Sequence, residues 1–139
     1  MAGALMGPTV FPLNQRTHRI DITADGTFGE LGPAGQSETG VWTLMWVPNI
    51  TFTGTLSVVG RIAMQEAVEA GAPLVQIPYI LVYHGSAPSS PRSWSYAPIT
   101  DTAIIEIPTG ALSPAILFGV TSGYGTLFVR DASGGYAAV

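Results

Sequence analysis

Apolar residues at every second position, broken at short intervals by turn-forming residues, constrain this chain more than any other feature. The segment Ile50–Gly60 carries the pattern best. Ile50, Phe52, Leu56 and Val58 fall on one side of an extended chain, and Thr51, Thr53, Thr55 and Ser57 on the other. Such a strand buries one face and turns hydroxyls towards solvent. Arg19–Ala24 alternates likewise, with Ile20 and Ile22 together. Asp25-Gly26 behind it is a two-residue hairpin signal, with Thr27–Leu31 as the return strand. Val41–Val47 sets Trp42, Leu44 and Trp46 on a core side and Val41, Thr43, Met45 and Val47 on the other, so both sides are candidates for cover.

Pro73–His84 aligns Val75, Ile77, Tyr79, Leu81 and Tyr83, and Pro78 requires an edge or a bulge there because it has no N–H to donate. Thr102–Ile107, Ala115–Thr121 and Thr126–Arg130 are further strands, the last two joined as a hairpin around Ser122-Gly123-Tyr124-Gly125. Arg61–Ala70 is divided between helix, by propensity, and strand continuing through Met64, which is slightly favoured. Gly85–Pro98 reads as a Ser/Pro-rich loop. About eight short strands with no long helix predict an all-β chain, a β-sandwich or jelly roll. The length of 139 residues fits one domain. We expect it to span residues 16–139, preceded by an extended N-terminal arm over 1–15. That arm lacks the basic start and small-residue cleavage pattern of a signal peptide, and no run reaches the roughly 18 apolar residues of a membrane helix.

The missing residue types exclude several chemistries. Without cysteine there is no disulfide, thiol nucleophile or thiolate metal site. All five basic residues are arginine, so Schiff-base, phosphate-loop and Ser/Lys lysines are absent too. Scattered arginines and a net charge of −4 argue against a nucleic-acid partner. No cofactor is expected.

The remaining constellations are weak. Asp21, Thr23, Asp25 and Gly26 imitate half a calcium loop, but Gly32 stands where the bidentate acid belongs. His18 and His84 have no nucleophile-elbow motif to serve, and the acids Glu66, Glu69, Asp101 and Glu106 are not paired by sequence. The residues favour no catalytic constellation, and a hydrolase on a β-sandwich, which would require His18 or His84, is kept as a rival expectation. Arg92, Trp94 and Tyr96 lie together in the Gly85–Pro98 segment. Aromatics there suit a binding surface or sugar stacking, and equally suit a cap over the end of the core.

Charged residues make up 10% of the chain, against about 25% in ordinary soluble domains. Lysines, the usual guards of exposed sheet edges, are missing. Neighbouring subunits would supply the cover instead, which points to an oligomer; Pro and Gly at the edges would serve as well.

Three stretches carry a family likeness: VWTLMWVPNITFTGTLSVVGR (Val41–Arg61), PLVQIPYILVY (Pro73–Tyr83) and ILFGVTSGYGTLFVRD (Ile116–Asp131). In texture and strand order the chain resembles small virion proteins of tailed bacteriophages, especially the β-sandwich decoration (cement) proteins of the head. The resemblance implies a non-enzymatic homotrimer on the capsid surface that clamps neighbouring capsomers of the major capsid protein, without nucleic acid or membrane. Residues Ala2–Gln15 would be the clamping arm, with Val10 and Phe11 as its interface candidates beside Arg92, Trp94 and Tyr96. The rival expectation is a carbohydrate- or surface-binding β-sandwich module, as in a tail or fibre component.

Overall fold

The computed structural model describes residues 9–14, 17–28, 41–62, 64–108 and 112–131, with the side chains of 9–14, 108 and 131 left aside. The strands are β1 (Thr9–Asn14), β2 (Thr17–Ile22), β3 (Gly26–Phe28), β4 (Val41–Pro48), β5 (Thr53–Ile62), β6 (Val75–Gln76), β7 (Tyr79–His84), β8 (Ala87–Ser95), β9 (Ala103–Pro108), β10 (Leu112–Ser122) and β11 (Gly125–Asp131). A one-turn helix, α1 (Gln65–Glu69), follows β5. Two antiparallel sheets face each other as an all-β sandwich. One has seven strands in the order β1-β2-β11-β4-β9-β7-β8; the other has four, β3-β10-β5-β6.

Alternation builds the core. Ile20, Ile22, Trp42, Leu44, Trp46, Ile105, Ile107, Leu127 and Val129 point inward from the larger sheet, and Leu56, Val58, Ile116 and Phe118 meet them from the smaller. The rings of Trp46 and Phe52 meet edge to face at 5.0 Å between centroids.

Three connections cross between the sheets side by side. β2 passes to β3, β4 to β5, and β10 to β11, and the neighbour order β2-β11-β4 in one sheet is matched by β3-β10-β5 in the other. The sandwich is thus a three-stranded ribbon folded over itself, with extra strands added at its margins. Close approach dictates the glycines at the fold. A Cβ on Gly123, whose φ is +83°, would lie 2.4 Å from the Thr51 carbonyl oxygen, and one on Gly125 would lie 2.2 Å from the Trp46 ring. Polar groups tie the crossings together. The Asn49 N–H donates to the Tyr124 carbonyl (2.9 Å), the Asn49 Nδ2 to the Tyr124 hydroxyl oxygen (2.7 Å), and the Val120 N–H to Asp25 Oδ1 (2.6 Å).

These crossings correct four expectations. Asp25-Gly26 is not a hairpin: β2 and β3 belong to different sheets, and β3 pairs with β10. The Ser122–Gly125 turn likewise carries the chain between sheets. Pro73–His84 is broken at Ile77-Pro78, where the chain leaves β6 in the small sheet for β7 in the large one, so a residue without an N–H sits where no ladder runs. Ile50, expected inward, sits at a crossing and is 97% exposed.

Three boundaries also differ. The favoured strand continuation through Met64 gives way to an end at Ile62 and α1. Gly85–Pro98 contains the edge strand β8. β10 starts at Leu112, earlier than the expected Ala115. Within the segment expected as an arm, Thr9–Asn14 pairs with β2, placing Val10 opposite Ile20 and Phe11 opposite Arg19.

Candidate functional site

The chemistry-bearing residues do not converge. His18 lies on β2 and His84 at the end of β7, four strands apart in one sheet, about 19 Å at the usual strand spacing. His18 packs near Phe28 and Trp42, with ring centroids at 6.3 and 6.5 Å. Burial there holds its pKa below the usual 6.5. Glu66 lies in α1's first turn and Glu69 ends that helix; Asp101 precedes β9, and Glu106 on β9 is ion-paired to Arg92. No group of three metal-ligating side chains occurs among the described residues. Asp25, the third position of the calcium-like stretch, is engaged with the Val120 N–H.

The outer surface of the seven-stranded sheet carries the distinctive arrangement. Register aligns Arg19, Phe128, Met45, Ile104 and Tyr83 in one row across β2, β11, β4, β9 and β7. Met45, Tyr83 and Phe128 are 38%, 40% and 41% exposed. A parallel row runs Thr17, Arg130, Thr43, Glu106, Ile80 and Trp94. On the far side of the apolar row, Val47 faces Thr126, which faces Asp21. Arg19 Nε stands 3.6 Å from Asp21 Oδ1. An open groove at the Tyr83 end is lined by Met45, Tyr83, Gly85, Ser86, Asp101, Thr102 and Ile104. Asp101 Oδ1 accepts from the Thr102 N–H at 2.7 Å.

Arg92, Trp94 and Tyr96 sit at the margin of this surface. Trp94 and Tyr96 are 60% and 58% exposed, so they do not cap the core. Tyr96 follows β8, where its carbonyl accepts from the Gln76 side chain. Val10 and Phe11 lie at the opposite margin, in β1. The expected interface residues therefore bracket the sheet from both edges, and the apolar row lies between them. Its one signal in the sequence is the stretch Val41–Val47, apolar on both sides.

No protein-family model, no curated protein and no solved structure matches the chain.

Proposed function

We propose that this chain is a non-enzymatic structural protein that works by assembly: a homo-oligomeric decoration protein on the capsid surface of a tailed-phage head, bridging capsomers of the major capsid protein. The apolar row Phe128–Met45–Ile104–Tyr83 carries this reading. Apolar side chains lined up on adjacent strands of an outer face are a contact surface waiting for a partner. The strand texture of Val41–Arg61 and Ile116–Asp131, which resembles head decoration proteins, supports the choice of particle. Bridging would stabilise a shell by mass action, because binding to the assembled lattice alone favours the assembled state.

Light scattering on the chromatographed protein tests the reading. A closed homo-oligomer is the expected result. A monodisperse monomer at every concentration would overturn the homo-oligomer. The exposure of Trp94 and Tyr96 favours a second reading, a carbohydrate-binding module with the two rings as stacking platforms. On that reading Trp94→Ala abolishes binding to a glycan array and leaves the mass in solution unchanged.

A further inference from the structure

We infer that the partner covering the row Phe128–Met45–Ile104–Tyr83 is a second copy of this chain, packed face to face, and that the sheet edges take no part. The inference rests on the assembly reading above and names its surface.

Among the described residues the edge strands are poor templates for strand addition. Both margins of the large sheet carry proline, which has no N–H to offer: Pro12 in β1, Pro88 and Pro91 in β8. The β8 ladder is also interrupted, its register passing from Ser93 opposite Leu81 to Pro88 opposite Tyr83. In the small sheet the outer strands have three and two residues, and beside β6 the edge of β5 is covered where Leu56 and Ile99 exchange backbone hydrogen bonds of 2.9 and 2.8 Å. Among the described residues the edges are thus guarded without lysine, and a face is left uncovered.

The electrostatics of that face fit a copy of itself. Its described charged side chains are Arg19, Arg92 and Arg130 against Asp21, Glu106 and Asp101, three of each sign. The whole chain carries −4, so its acidic excess lies elsewhere and two such faces meet without net repulsion. Size also fits. From β2 to β8 is about 24 Å and the length of β4 about 27 Å, a flat footprint of roughly 650 Å² that side-chain relief brings near the roughly 800 Å² per partner of a standard interface. Packing one face on its own copy sets a two-fold axis, with the apolar row at its centre and the ion pairs at the rim.

The wild-type protein supplies the test through two of its methionines. Met45 is in the row, and Met64, 45% exposed before α1, is outside it. Under dilute hydrogen peroxide, with light scattering reporting the mass in the same sample, the oligomer should form sulfoxide at Met45 at least tenfold more slowly than at Met64. Equal rates in an oligomer of confirmed mass would overturn the face and leave the assembly reading standing. A wild-type mass of 14.5 kDa would overturn both. The double variant Met45→Thr/Phe128→Thr should then run at the monomer mass with a cooperative melt, whereas Leu117→Thr on the other sheet should keep the wild-type mass. An unchanged mass in a folded double variant would also refute the face.

Discussion

The two outer faces of the sandwich are built from the same alternation and finish differently. On the small sheet the outward positions include Thr53, Thr55, Ser57, Gly119 and Thr27, together with the buried Val59 and Ala115 and the exposed Leu117. Ile62 and Val75 are exposed towards that sheet's ends and edge. On the large sheet they include Phe128, Met45, Val47, Ile104 and Tyr83. Both sheets send Ile, Leu, Val and aromatics inward, so folding alone would be served by hydroxyls on either outside. The difference lies in what the outside must meet. Hydroxyls hydrogen-bond water; a row of Phe, Met, Ile and Tyr gains by being covered.

Experiments can break this contrast at several levels. The largest effect is expected at the fold both faces share. Gly125→Ala forces a methyl into the buried Trp46 ring and should destabilise by about 3 kcal/mol or more, read by denaturant unfolding. Asp25→Ala removes the acceptor for the Val120 N–H at the same fold and should cost about 1 kcal/mol by the same measurement.

The faces themselves separate in the concentration dependence of melting. An oligomer's Tm rises with protein concentration. Leu117→Thr should retain that rise and Met45→Thr should flatten it, both folding alone within about 0.5 kcal/mol of each other. Identical slopes would remove the distinction between the faces.

The smallest effect should come from His18, on the inner side of β2. Its folded-state pKa lies below 6.5, so the unfolded chain binds the proton more readily. This contribution is complete above pH 6.5 and is lost as pH falls from 6.5 through the lowered folded value. Tm should therefore decline below pH 6.5, and His18→Gln should weaken that decline; an unchanged pH profile would count against the burial.

Much of the architecture was legible because it is local. The period-two pattern places Trp42, Leu44, Trp46, Leu56 and Val58 in the core, and the structure buries all five. Partnership between strands was less legible. Asp25-Gly26 and Gly123–Gly125 mark bends, but nothing within a bend says which sheet its next strand joins; the long pairing of β10 with β5 decides that. β8 leaves no alternation in the sequence, because most of its residues are exposed. Ile50 misled because an apolar residue at a crossing obeys the bend and not the strand. At the surface, exposed loop-like aromatics pointed to Trp94 and Tyr96. The row between the edges was hidden, since Val41–Val47 has the same pattern as a strand covered twice within its own domain.

The folded ribbon has a mechanical meaning. Where layers are joined by slack loops alone, a pull on one layer is resisted by side-chain packing and the two can peel apart. Here three neighbouring strands continue from layer to layer at one end, through residues 23–25, 49–52 and 123–124. Tension applied to the aromatic side passes along covalent backbone into the hydroxyl side, and the clasp of Asn49 on Tyr124 shares it between adjacent tethers. The two layers are thus tied to each other at one end by three neighbouring lengths of covalent backbone.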